Sequence, residues 1–114
     1  MKRFLVCVGV VVLIAGVCGS AVAAGDAKAG KVVYTRSCQK CHGLDGAGMP
    51  AIAKALKVEM KALGSEEAQK LTDEEMTKII KEGKGKMVKI SALTDKDVAD
   101  VVAYVRTFAK KETK

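Results

Sequence analysis

Along this chain a uniformly apolar opening is followed by segments in which hydrophobic positions recur at helical spacing, and nowhere by the alternation of a strand. Phe4 to Val17 carries no charge. Asp26 to Cys41 predicts a first helix, with Val32, Val33 and Tyr34 as its apolar bulk and Asp26 as a favourable negative charge near its start. His42 to Pro50 is a glycine-rich loop, and Ala51 to Leu56 suits a short helix. From Lys57 to Lys70 the pattern is weak, although Ser65-Glu66-Glu67 suits the start of a helical turn. Thr72 to Glu75 has the form of a capping box, and Met76, Ile79 and Ile80 follow at helical spacing until Gly83 ends the helix. Lys84 to Leu93 is a loop. Thr94-Asp95-Lys96-Asp97 then starts a final helix whose buried face carries Val98, Val101, Val102, Val105, Phe108 and Ala109. With no repeat, no low-complexity tract and no second domain, an all-α domain is expected.

The opening segment reads as an address. Lys2 and Arg3 precede the apolar run, and Ser20-Ala21-Val22-Ala23-Ala24 supplies the small residues that signal peptidase accepts. Residues 1–24 are therefore expected to be a secretory signal peptide cleaved after Ala23 or Ala24, leaving a domain over residues 25–114 in the periplasm or otherwise exported. The alternative is an uncleaved membrane anchor, since about 20 apolar residues span a bilayer. A lipoprotein reading of Cys18 is disfavoured by Val17, which is not the small residue that such processing prefers.

What remains, about 90 residues, has one proline and only Tyr34, Tyr104 and Phe108 as aromatics. So small a set of large apolar side chains makes a poor core. Domains of this size commonly recruit a disulfide, a metal or a cofactor to offset chain entropy.

Cys7 and Cys18 fall in the signal segment, which leaves Cys38 and Cys41 in the sequence Cys38-Gln39-Lys40-Cys41-His42. This C-x-x-C-H spacing is the attachment signature of c-type haem. Residues three apart on a helical turn share a face and reach the two thioether carbons of one porphyrin, and His42 then presents a ring nitrogen to the iron. A simple disulfide, a thioredoxin-like pair and half a zinc site are the competing readings. Zinc lacks ligands, because Cys38, Cys41 and His42 are the only cysteines and histidine of the mature chain. A thioredoxin-like pair needs a βαβ context that the pattern does not offer. With His42 the single histidine, the opposite side of the iron is left to a methionine, water or an open position. Among the methionines, Met76 falls on the apolar stripe of a capped helix and Met49 is too near His42 in the chain, which leaves Met87 favoured and Met60 as its rival.

The chain resembles the class I cytochrome c family over essentially the whole mature length. The likeness is carried by Cys38 to Gly43, by Leu71 to Met87 and by Leu93 to Arg106, in that order. It implies an all-α cytochrome c fold of three to five helices around one covalently attached haem c, with the first and last helices crossing. It also implies that Gly30 and Tyr34 pack on Val101 and Tyr104, and that Met87 is the sixth iron ligand. In such proteins a proline carbonyl accepts a hydrogen bond from the haem-binding imidazole, and Pro50 matches that proline, although an ordinary turn residue would serve its position equally. One departure stands out. The family loop usually has proline directly after the methionine, where this chain has Val88, and a looser loop is expected.

Formal charge is +7 for the whole chain and +5 without Lys2 and Arg3. Lys84, Lys86 and Lys89 surround Met87, with Lys78 and Lys81 on the helix before it, so an acidic docking surface on a redox protein partner is expected. Nucleic acid fits poorly: the mature chain has two arginines, Arg36 and Arg106, and few aromatics to stack on bases. The expected function is outer-sphere transfer of one electron by a monomeric carrier with His42 and Met87 as axial ligands, not an enzyme. An open sixth site, used in gas binding or peroxide chemistry, is the alternative.

Overall fold

The computed structural model describes residues 25–109, and the expected signal segment lies outside them. Six helical segments and no strand occur among the described residues: α1 (Ala27–Ser37), α2 (Gln39–His42), α3 (Pro50–Leu56), α4 (Glu66–Gln69), α5 (Asp73–Glu82) and α6 (Asp95–Thr107). Four have seven residues or more; α2 and α4 are single turns. None of the helices described is long and apolar enough to cross a membrane.

The predicted first helix is interrupted. Asp26 caps α1 by accepting from the Lys28 N–H, but at Cys38 the backbone leaves helical geometry, with φ −121°. The Cys38 carbonyl then accepts from both Cys41 and His42 N–H, starting the separate turn α2, which ends at Gly43 with φ 80°. α3 begins one residue earlier than expected because Pro50 occupies its first position, where its missing N–H costs nothing and its fixed φ is already helical. Ser65 caps α4 through its hydroxyl. Both expected capping boxes form: Thr72 with Glu75 at α5, and Thr94 with Asp97 at α6.

The core lies where α1 crosses α6. A β-carbon added to Gly30 would collide with the Asp100 carbonyl and stand 2.9 Å from Cβ of Tyr104, so only glycine allows this approach. Val33 and Tyr34 of α1 are buried there, whereas Val32 faces solvent. From α6, Val98, Val101, Val102, Val105 and the following Phe108 are buried, and Ala109 is half-buried. Tyr34, Tyr104 and Phe108 form a triangle of edge-on rings with centroids 5.1–5.3 Å apart. Such contacts add about 0.5–1.5 kcal/mol per pair to the area they bury.

Two polar features tie the remaining segments to α6. Arg106 donates to the carbonyls of Gln69 and Leu71 and pairs with Asp73, fastening the α4–α5 junction. Asp100, the buried charged residue of the core, accepts from the Asp26 N–H at 2.8 Å and from Lys96 Nζ at 2.6 Å. Gly25 lies against the backbone of Ala99 and Asp100, with no room for a side chain.

Candidate functional site

Beside the aromatic triangle, α1, α2, α5 and α6 surround a cavity enclosing about 590 Å³ of empty space, part of it open to solvent. Its walls are apolar: Leu71, Met76, Ile79 and Ile80 on the α5 side, Val101, Val102 and Val105 on α6, together with Leu63 and Ala68. Tyr34, Cys38 and His42 line it as well, as does Met87 from the loop between α5 and α6. Cys38, His42 and Met87 are thus gathered at one cavity. Cys41 is half-buried beside it but does not line it, nor do Pro50 and Met60. Met60 packs instead on Gly48, where an added β-carbon would stand 3.6 Å from its sulfur.

Each of these side chains has a local cause for its place. The Tyr34 hydroxyl, buried, donates to the Gly43 carbonyl at 2.6 Å and so anchors the end of α2 to α1. Sequence reasoning assigned Tyr34 to helix packing and missed this bond; the signal was a tyrosine, not a phenylalanine, on a buried face, since a buried hydroxyl needs a partner. Met87 is held by a two-residue reversal in which Lys84 and Met87 exchange both backbone hydrogen bonds at 3.0 Å, with Gly85 at φ 57°. Gly83 at φ 81° leaves space for this return, because a β-carbon there would press to 2.7 Å from the Met87 carbonyl. The Ile90 N–H then bonds the Ile80 carbonyl. The loop therefore has backbone constraints of its own, and Val88, in the place of the family's proline, is exposed.

Burial governs the electrostatics. Desolvation pushes the Cys38 thiol up to about 11, with Cys41 adding to the effect, so Cys38 stays protonated at neutral pH. Burial lowers His42 below the usual histidine range and keeps its imidazole neutral, the form that binds metals. Burial, then the nearby Cys38, raises Tyr34 beyond the ordinary phenol range. His42 Nδ1 is buried and has no hydrogen-bond partner, so the expected bond to the Pro50 carbonyl is not made in this structure. A histidine kept for packing would have its buried nitrogens paired.

The donor set fits a covalently held haem. The Cys38 thiol, a neutral imidazole and a thioether sulfur meet at one apolar cavity, and the second free thiol, Cys41, lies three residues from the first and next to His42. Among the described residues no three His, Cys, Asp or Glu side chains gather to hold a bare metal ion.

Outside the cavity, Lys78, Lys81, Lys84, Lys86 and Lys89 are all exposed. Lys81 is paired with Asp95 across to α6, which reduces its share of the positive field. Glu75 and Glu82 border the same surface near Lys78 and Lys84, making it mixed in charge on the α5 side.

Residues 25–105 match the family model described as cytochrome C oxidase, cbb3-type, subunit III. Among solved structures, the KustC0563 c-type cytochrome is similar at 30 % identity with a TM-score of 0.60, over 69 % of this chain and 95 % of that one. The Kuenenia stuttgartiensis reducing HAO-like protein complex Kustc0457/Kustc0458 shares the fold at 23 % identity and a TM-score of 0.58, over 76 % of this chain and 45 % of that one. No curated protein sequence matches.

Proposed function

The chain belongs to the c-type cytochromes, in the family described as cytochrome C oxidase, cbb3-type, subunit III, and from that premise we propose that Cys38 and Cys41 hold its haem c with His42 and Met87 as axial ligands. Domains of this family carry covalently attached haem c and serve electron transfer. The observation that carries the residue assignment is the convergence of Cys38, His42 and Met87 on one apolar cavity, with Met60 packed elsewhere. When bound, the haem supplies a one-electron Fe(III)/Fe(II) couple.

Every other part of the function falls to the protein. Cys38 and Cys41 fix the group by thioethers, and the Tyr34 bond to Gly43 holds α2 so that His42 keeps its position. The apolar walls exclude water, and a soft thioether from Met87 favours the reduced iron, so the pair has a raised potential. The Lys84–Met87 reversal fixes where that sulfur sits. With His42 and Met87 both holding the iron, no position would be left open to a substrate, and the protein would act as a carrier and not as an enzyme.

The export reading completes the proposal: residues 1–24 direct the chain out of the cytoplasm and are removed, and residues 25–114 form the working domain. Gly25, packed closely on α6, already belongs to that domain. Lys84, Lys86 and Lys89 beside Met87 suit an acidic surface on a redox partner, approached by a monomeric carrier.

The test is covalency. Protein made in a host with c-type maturation machinery should keep its haem through acid–organic extraction, and Cys38→Ser with Cys41→Ser should release it. Extraction of all haem from the parent would end the proposal.

A further inference from the structure

The cavity wall formed by residues 63–71 is held in place differently from the others. α1 and α6 pack through buried side chains, and α5 contributes buried Met76 and Ile80, but α4 buries none of its four residues. Leu63, Ala68 and Leu71 line the cavity while staying only half-buried. The ion pairs made by α4 and its end, Lys61 with Glu67 and Lys70 with Glu66, are exposed and local, and such pairs add little to stability.

The hydrogen bonds that tie this segment to α6 run through two side chains. Gln69 Nε2 donates to the Leu63 carbonyl at 2.8 Å and to the Val105 carbonyl at 3.1 Å, joining residues that line the cavity from different parts of the chain. Arg106 Nη1 donates to the Gln69 carbonyl at 2.8 Å and lies 3.4 Å from Gln69 Oε1, while Nη2 donates to the Leu71 carbonyl at 2.6 Å. A guanidinium can only donate, so its place beside Oε1 turns the amide N–H groups of Gln69 toward the two carbonyls. We propose that Gln69 and Arg106 form a latch that closes residues 63–71 over the haem, and that by excluding water there they raise its potential. Both are positioning residues, since neither lines the cavity and each acts through Leu63, Ala68, Leu71 or Val105. Ferric haem carries one more positive charge than ferrous haem, so water admitted to the cavity stabilises the ferric form and lowers the potential. The inference rests on this cavity being the one that holds the haem.

The experiment uses the haem-loaded protein with two substitutions that keep the net charge, because losing a charge would itself move the potential. Gln69→Met, similar in size, removes both amide donors. Arg106→Lys keeps the cation but loses the fork that reaches two carbonyls at once. The readouts are the midpoint potential and amide hydrogen exchange, followed residue by residue by NMR in the reduced protein. Both variants should keep covalent haem, lower the potential and speed exchange across residues 63–71 roughly tenfold, the fold-change for one hydrogen bond, while α1 exchanges at the parental rate. A merely structural role would speed exchange without moving the potential. Haem-bearing variants at the parental potential, or a lowered potential with residues 63–71 protected as in the parent, overturn this proposal alone. If Gln69→Met takes up no haem, Arg106→Lys decides by the same two readouts. A parent without covalent haem overturns the functional reading and this inference with it.

Discussion

Helix α6 divides two unlike halves of the core. Toward α1 its neighbours fill all the space: Gly30 lets the backbones touch, and Tyr34, Tyr104 and Phe108 close on one another edge to face. Toward α5, valines of the same helix face Met76, Ile79 and Ile80 across a cavity. Interiors normally pack without such voids, and each lining atom there lacks partners on one side. The first half is complete in protein atoms. The second leaves room for a guest, and the haem of a c-type cytochrome is the guest that its Cys38 thiol, imidazole and thioether suit.

If that contrast is correct, the largest effect comes from removing the guest. A haem-free Cys38→Ser, Cys41→Ser variant should lose more than about 4 kcal/mol, which for so small a domain means loss of cooperative melting. Circular dichroism with thermal melting measures it, and a sharp transition in that variant would show that the α5 half does not need the group. Filling the tight half should cost less and leave the other half alone. Gly30→Val forces a side chain into the Asp100 carbonyl, at about 3 kcal/mol or a fall in Tm of roughly 10 °C or more, with the haem spectrum unchanged. A changed spectrum would mean the two halves are not separable.

The smallest effect expected is an acid one, at the seam between Asp100 and the start of the domain. Lys96 and the Asp26 N–H hold the Asp100 carboxyl below the usual carboxylate range. A group whose folded pKa is depressed stabilises the fold above its unfolded value, ordinarily about 3.9, and that stability is lost as pH falls through the lower folded value. Thermal melts from neutral pH downward should therefore show a loss below about pH 4 that is smaller in Asp100→Asn. Equal acid sensitivity in both would remove Asp100 from the account.

Much of this architecture was legible in the chain because its signals are local. Both capping boxes join residues three apart, and the buried stripe of α6 is a matter of helical period. What escaped depended on partners distant in sequence. Arg106 reads as a surface charge until the carbonyls of Gln69 and Leu71, 37 and 35 residues away, come under it. Asp100 reads as a solvated position in α6, yet it is buried because the Asp26 N–H, 74 residues earlier, needs an acceptor. The break at Cys38 was hidden for a different reason: no proline or glycine marks it, and the turn of the backbone is visible only in its dihedral angles. At the site, the spacing of Cys38, Cys41 and His42 announced the chemistry. The Lys84–Met87 reversal did not announce itself, because its two backbone bonds leave no mark in the residue pattern beyond Gly83 and Gly85.

The most direct test of the account is the absorption spectrum and midpoint potential of the haem-loaded protein with Met87→Ala, beside Met60→Ala. Met87 faces the cavity that His42 faces, whereas Met60 packs on Gly48. Loss of the thioether should lower the potential, abolish the weak far-red band of methionine-bound ferric haem and open the iron to added imidazole or carbon monoxide. Helicity should largely survive, because Cys38, Cys41 and His42 still hold the haem. Met60→Ala should change none of these. The account is contradicted if Met87→Ala leaves spectrum and potential at parental values while Met60→Ala alters both.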